Sequence, residues 1–597
     1  MKVEKLIQSA SHPSWVKHLS FTPDGKKLIS TCNSFTKCWD VESGTLLWTL
    51  SNKAWLYDID ITIDSKLVLR ANEILDFVDI ESGKSTDFIA ENFDFVESVK
   101  VNPNGKTFAV ITKREIRKEK GIEFLIYLQL RDLETRDVLW EQGIECGGYL
   151  TFTPDGKRIM YAEGKTIRIF NAETGKEIKS FSIHENSKCS LFSLDISHDG
   201  KLLLCGMIFH QMDNKKLSER KKKACLVDIE TGEVLETFDN SVSAVFSPNG
   251  KVIALGKARE ISLVDLETLE EIKKLKSSLP YKKGMRKFEK IYSISFSPDG
   301  KYLAAGSLGI ELWDLDKDEI VWKIDPTEPG KFVFCSKESF SLVADTKIFR
   351  YSFEDRSFKE IAETDGFIES AAFNSKTGLL ACGTEDKKVV IVDTNKEEVI
   401  KKIPCPTFVG SLTFSTNGTT LAAGCFGTVV LINTKTWETS EIPIGDFCLS
   451  AMTFRDNFLL GCYFYENSEF ILENITNRKL IKNFGKEVST FTFSNDGKLL
   501  AVGKNNGEIE IVDTETGFTE ASLKVKEPST LKFLSNDLLA CGTFEGNLLV
   551  FNLENSDLVL KLPAHIGFVN SIDFSNDGNY LISAGMDGSV VKYEFAF

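Results

Sequence analysis

The stretch SISFSPDGKYLAAGSLGIELWDL, from Ser293 to Leu315, cannot fold by itself. Ile294 and Phe296 alternate with serines, the period-two pattern of a strand buried on one face. Pro298, Asp299 and Gly300 then form a tight turn. Proline presets φ at the first corner, aspartate tolerates the second, and glycine takes the left-handed position that closes the hairpin. Small residues follow in KYLAAGS, as suits a strand where two sheets approach closely, and IELWDL makes a third strand ending in Trp313-Asp314. Three antiparallel strands of this size leave apolar faces uncovered, so the segment requires neighbours of its own kind.

The neighbours are in the sequence. The same turn recurs as FTPDGK at Phe21, VNPNGK at Val101, FTPDGK at Phe152, ISHDGK at Ile196 and FSPNGK at Phe246. It continues as FSTNGT at Phe414, FSNDGK at Phe493 and FSNDGN at Phe574, with weaker forms at Ile61, Phe334, Phe373, Phe454 and Phe533. Including Phe296 there are 14 anchors, mostly spaced by about 40 residues, the period of a four-stranded propeller blade. Rings of this kind hold about 4 to 8 blades. The expected fold is therefore all-β, two tandem seven-bladed β-propellers, with domains 1–318 and 319–597. The proline- and glycine-bearing IDPTEPGKF lies near that junction.

Closing the rings needs a strand count. The last repeat supplies three strands and the chain then stops, which would leave an unpaired edge. Two spare outer strands exist, VEKLIQS at Val3 and EIVWKI at Glu319. The simpler expectation is that each ring closes itself: Val3–Ser9 completes the blade holding Trp313, and Glu319–Ile324 completes the blade holding Tyr593. The alternative sends the N-terminal strand to the second ring.

These residues resemble the WD-repeat propeller family over nearly the whole chain. The resemblance implies a buried hydrogen-bonded set within a blade: a His before the first strand, a Ser or Thr, an Asp in a turn and an aromatic in the third strand. His565, Ser583, Asp587 and Tyr593 match it in the last repeat, and His12, Ser30 and Trp39 match part of it in the first. Elsewhere Val-Asp or Phe-Asn replaces Trp-Asp and the chain holds only six histidines, so the other blades are expected to rest on packing. The two-ring architecture also resembles the actin-interacting protein 1 family, which implies binding and disassembly of cofilin-decorated actin filaments. Tandem propellers serve equally as scaffolds in ribosome assembly.

Catalytic signatures are missing: the sequence has no GxSxG, no GxxxxGK[ST], no HExxH and no CxxC. No enzyme activity and no cofactor are expected; an enzyme or small-ligand sensor would need a site in a propeller channel. The 13 cysteines are scattered, and Cys205, Cys382, Cys462 and Cys541 recur at second-strand positions as small apolar fillers. The N-terminus lacks an apolar run and no segment is long enough to span a bilayer, so a cytoplasmic or nuclear protein, not secreted and monomeric, is expected.

Three repeats deviate in length, and length deviations mark loops that the fold does not itself need. Blade three carries KREIRKEK (Lys113–Lys120), blade five carries IFHQMDNKKLSERKKK (Ile208–Lys223), and the exit from blade six is KKLKSSLPYKKGMRKFEK (Lys273–Lys290). Their net charges are +3, +4 and +7, against −15 for the whole chain. In a four-stranded meander, the turn between strands two and three and the exit from strand four emerge at one end. The three basic segments should therefore share one face of the first ring. Lys113, Arg114, Arg117, Lys118, Arg220, Lys221, Lys222, Lys223, Lys282, Lys283, Arg286 and Lys287 are the candidate contacts on it. Such a face suits a large partner with an acidic surface, actin among them, or RNA phosphates. Tyr281 and Phe288 are the aromatics interleaved with the third run. The expected function is a non-catalytic scaffold for protein–protein interaction, with an RNA-associated assembly scaffold as the alternative.

Overall fold

A computed structural model describes residues 2–8, 12–52, 55–90, 93–118, 121–183, 188–213, 216–241, 243–279, 291–307, 309–324, 331–336, 338–415, 417–456, 458–465, 469–494, 496–575 and 579–594. Among these residues there is no helix, and the strands form 14 four-stranded antiparallel sheets. We number the blades 1 to 14 by their inner strands. These begin at His18, Asp58, Phe95, Tyr149, Lys188, Ser243 and Ser293, then at Phe332, Ile368, Val409, Ala451, Val488, Pro528 and Val569.

The turn chemistry explains the repeat. In blade 7 the Ser297 hydroxyl donates to Asp299, and the Asp299 carboxylate accepts the Lys301 N–H at 3.0 Å. Gly300 sits at φ 74°, where a side chain would be strained. The second and third strands are the most buried. LLACGT occurs twice, as Leu379–Thr384 and Leu538–Thr543, with the same burial pattern, and Cys205, Cys382, Cys462 and Cys541 are each fully buried there. In blade 8 the inner-strand register pairs Cys335 with Phe340, as Phe296 pairs with Leu303 in blade 7. The anchor in that repeat is therefore Cys335, one residue past Phe334.

Apolar packing lies between blades, and it divides the chain. Seven buried clusters join blades 1/2, 2/3, 3/4, 4/5, 5/6, 6/7 and 7/1. Seven more join 8/9, 9/10, 10/11, 11/12, 12/13, 13/14 and 14/8. Each set returns to its starting blade, so each unit is a closed seven-bladed ring. The chain divides into one unit of Ala10–Pro326 and another of Met1–Ser9 with Thr327–Phe597.

The strand assignment at the closures differs from the sequence expectation. Lys2–Gln8 pairs with Ser589–Glu594, Val3 opposite Tyr593 and Gln8 opposite Ser589, and so completes blade 14 of the second ring. Glu319–Ile324 stays in blade 7, beside Ile310–Asp314. The cause is in the side chains. Trp322 on that outer strand donates its indole N–H to Val41 O of blade 1 at 2.8 Å. It also covers Gly44, where a Cβ would stand 2.7 Å from its ring. The same device recurs at Trp48 over Gly83 and Trp140 over Gly175. An outer-strand tryptophan thus reads the glycine turn of the next blade, and Trp322 can do so only from blade 7. The N-terminal strand is left for blade 14, where Leu6 packs against the cluster that closes the second ring.

Removing residues 1–8 should uncover the Ser589–Glu594 edge and weaken the second ring alone. In calorimetry the second-ring transition should fall by at least about 4 °C, on the scale of roughly 2–4 °C per kcal/mol for a unit of this size. The first-ring transition should not move; equal shifts in both would contradict the assignment.

Candidate interaction face of the first ring

The blades of one ring repeat the same meander, so the turns between strands two and three and the exits from strand four share one end of it. Blades 3 and 5 build beyond the blade there. Thr107–Lys118 pairs residue by residue with Gly121–Asp132, and Leu202–Asp213 pairs with Lys216–Asp228. The two basic segments expected as loops are therefore continuations of strands two and three, stiffened by ladder hydrogen bonds.

Individual candidates fall into three groups. Lys113 donates to Glu97 Oε1 at 2.9 Å and lies 4.6 Å from the Phe124 ring centroid. Arg114 and Lys221 are exposed, Lys222 is half-buried, and Lys223 pairs with Asp239 at 3.1 Å. Arg117 stands opposite Ile122, Lys118 opposite Gly121, and Arg220 opposite His210 in their ladders. Lys282, Lys283, Arg286, Lys287, Tyr281 and Phe288 lie outside the described residues. Their connection runs from the outer strand of blade 6 to the inner strand of blade 7.

The same face carries aromatics that the sequence reading did not single out. Trp15, Trp55, Tyr57 and Phe124 are exposed, Trp55 by 66%. Three of them precede an inner strand by one to three residues, at the mouth of the ring. The signal was present in the sequence as large aromatics at loop positions that the repeat does not need to fill.

Below the mouth, the inner strands bring titratable groups together. Asp58 accepts hydrogen bonds from Ser98 Oγ at 2.7 Å and Val99 N at 3.2 Å, and lies 3.5 Å from Lys100 Nζ. Asp60 Oδ2 accepts the Val101 N–H of the next blade at 2.6 Å, and Asp195 Oδ2 accepts the Phe246 N–H of the next blade at 2.7 Å. Asp573 does the same for Cys335 in the second ring, at 2.6 Å, and is held by Lys532 at 2.9 Å. Asp60, Asp195 and Asp573 each directly precede their anchor, in IDI, LDI and IDF. That position is the clue to a blade-to-blade clasp which sequence reading missed.

Burial sets the protonation of this cluster. It pushes Asp195 up to about 6 from an ordinary 3.8 and raises Asp60 as well, although hydrogen bonds and Lys100 oppose it. Burial also lowers His18 to about 4, so the imidazole is neutral at pH 7. At Lys100 burial works against the charge, but Asp58 and Asp60 outweigh it and the pKa rises. Both backbone acceptor bonds mark Asp60 and Asp195 as structural clasps between blades. Among the described residues no group of His, Cys, Asp and Glu could hold a metal ion.

The buried sets implied by the family resemblance can also be located. His565 Nε2 lies 2.7 Å from Ser583 Oγ, and its Nδ1 lies 3.2 Å from Asp587 and 2.8 Å from Ser589 Oγ. Burial opposes ionisation of Asp587, but hydrogen bonds from His565, Ile566 N and Ser589 hold its pKa well below the carboxylate range. The Tyr593 hydroxyl has no hydrogen-bond partner among the described residues. In blade 1, His12 and Trp39 converge on Ser30, each at 2.7 Å, while His12 Nδ1 is buried without a partner among the described residues. Polar networks extend beyond these two blades: buried Arg70 meets Asp76 Oδ2 and Asn52 Oδ1, at 3.1 and 2.9 Å from Nε and Nη1.

Two family models match the chain. The WD domain, G-beta repeat matches residues 4–40, 283–314 and 556–594, and the Anaphase-promoting complex subunit 4 WD40 domain matches 474–536. The first and third of these matches begin on the outer strand of one blade and run through three strands of the next. Among curated proteins, the chain is 20% identical over 458 residues to Periodic tryptophan protein 2 of Saccharomyces cerevisiae, covering 75% of this chain and 39% of that one. It is 32% identical over 111 residues to the U3 small nucleolar RNA-associated protein 12 of the same yeast, covering 18% of this chain and 12% of that one. It is 23% identical over 254 residues to the Serine-threonine kinase receptor-associated protein of Gallus gallus, 41% of this chain and 65% of that one. The aligned segments thus span less than two thirds of these relatives' lengths.

Asp195 offers a test with a defined sign. Its folded pKa is raised, so its contribution to stability is complete below about pH 4 and is lost as pH rises through about 6. Asp195→Asn stays neutral and can still accept the Phe246 N–H. In denaturant melts the variant should be more stable than wild type by about 3 kcal/mol near pH 7.5, and by less than about 1 kcal/mol near pH 4. A variant destabilised at both values would contradict the clasp as described.

Proposed function

We propose that this chain, whose WD40 repeats build two closed seven-bladed rings, is a non-catalytic assembly scaffold that engages RNA through the basic face of its first ring. One observation carries the reading: the hairpins of blades 3 and 5 grow beyond the blade at the same end as the connection from blade 6 to blade 7. All three segments are cationic on a chain of net charge −15. Local positive charge on an acidic body attracts a polyanion to that face and keeps it off the rest. Ladder pairing holds the backbones of both hairpins in fixed register beyond the blade.

The association of one relative, the U3 small nucleolar RNA-associated protein 12, with a small nucleolar RNA supports RNA over other polyanions. It also favours the nucleus over the cytoplasm as the place of work. The actin reading rests on two-ring architecture and on a basic face that would suit any acidic surface, and the relatives named above add nothing to it. An enzyme reading would need the channel cluster to be free for chemistry. Its carboxylates are instead committed to neighbouring blades by hydrogen bonds of 2.6–3.2 Å.

Binding of RNA to the full chain should weaken steeply with salt, as expected when lysines and arginines displace counterions from phosphates. Arg220→Glu with Lys222→Glu should cut affinity at low salt at least tenfold and flatten the salt dependence. Wild-type affinity in that variant, or no RNA binding by wild type, would overturn the reading.

A further inference from the structure

A series of ring and cation–π contacts, joined through residues two apart in sequence or opposite in a ladder, spans four blades on the face of the first ring. It starts at Tyr292, just before the inner strand of blade 7, whose ring stacks on Trp15 of blade 1 with centroids 5.2 Å apart and planes 10° from parallel. Two residues on, Lys17 places its ammonium 5.4 Å from the Trp55 ring on the approach to blade 2. Tyr57 follows and meets Phe95 of blade 3 edge-on at 6.4 Å. Phe95 stands opposite Lys113 in the ladder, and the Lys113 ammonium lies over Phe124 on the neighbouring strand at 4.6 Å.

Such rings have a cost when left in water, since burying large aromatics is a main source of core stability. Indoles and phenols at the mouth are instead 37% exposed at Trp15, 66% at Trp55 and 38% at Tyr57. Two lysine ammoniums already lie against ring faces, so the faces are accessible to a flat or cationic group. At blade 3 the arc ends on basic ground, at the hairpin bearing exposed Arg114.

We infer that this arc is a stacking platform for single-stranded RNA, each exposed ring receiving a base while the basic hairpin of blade 3 holds phosphates at its end. The inference rests on the reading of this face as the RNA-facing element and adds which strandedness it selects and which side chains do so. Base–aromatic stacking tolerates any sequence because every base has a π-face. A duplex keeps its bases stacked on one another and cannot offer them to the rings. The middle of the arc carries no cationic excess: Lys17 and Lys113 stand against Glu97, Glu73 and Asp94. Stacking should therefore supply affinity without salt dependence there, and the salt dependence should come from the basic hairpins.

That division separates the two readings in one experiment. A fluorescein-labelled oligouridine of about twelve nucleotides and an RNA duplex of similar length are titrated into the full chain between about 50 and 200 mM salt. Wild type should prefer the single strand, and its tryptophan emission should be quenched saturably. Trp55→Ala and Trp15→Ala should each lower single-strand affinity about tenfold at every salt concentration, leaving the salt slope and duplex binding unchanged. Trp55→Tyr should restore most of the loss. Because Trp55 is largely exposed, an unfolded variant is not expected, and unchanged thermal melting checks this. If both tryptophan variants bind oligouridine as wild type does while Arg220→Glu with Lys222→Glu still loses it, the platform is wrong and the basic face stands. Equal affinity for strand and duplex also overturns the platform. Loss of a protein partner on Trp55→Ala with RNA binding intact would assign the arc to protein docking instead.

Discussion

Everything in this chain depends on apolar faces that only a neighbouring blade can cover. A four-stranded sheet of this length has two such faces, and a row of sheets ends in an exposed face at each extremity unless it closes. Closure at seven is visible in the cores. Clusters run from Ile29 and Val68 around to Val16 and Leu312 in one ring, and from Val343 and Leu380 around to Cys335 and Ile582 in the other. Once each ring closes, the ends of the blades are relieved of any packing duty. Basic hairpins and exposed aromatics can then accumulate on them without disturbing the core.

The sequence made the repeat legible because turn chemistry is local. Ser-Pro-Asp-Gly at 297–300 declares its hairpin through contacts within five residues. The count of fourteen and the all-β class followed from such turns. The strand that closes each ring was not legible, because it depends on contacts hundreds of positions apart. Nothing near Glu319–Ile324 announces that Trp322 will meet Val41 and Gly44. Lys2–Gln8 likewise carries no local mark of its partner Ser589–Glu594.

The candidate face shows the same division. Charge runs could be read directly, and topology alone gathers their segments to one end. Their conformation was misread, since a lysine-rich run suggests a solvated loop. In blade 3, however, the β-branched and aromatic residues opposite, such as Ile126 and Phe124, pair with Lys113 and Glu115 and continue the ladder. The aromatic arc escaped because its members are far apart in sequence and each alone is an ordinary surface ring. Only the closed ring places Tyr292 against Trp15. Aspartates such as Asp60 and Asp195 were passed over for the opposite reason: their clasp to the next blade uses backbone N–H groups, which leave no side-chain partner to find in the sequence.

The central claim is that one face of the first ring meets RNA. Ultraviolet cross-linking of bound single-stranded RNA to the full chain, with the modified peptides mapped by mass spectrometry, tests it most directly. The account predicts adducts on the peptides bearing Trp15, Trp55 or the blade 3 and blade 5 hairpins. Adducts confined to the opposite turns around Asp155 and Asp299, or to the second ring, would contradict it.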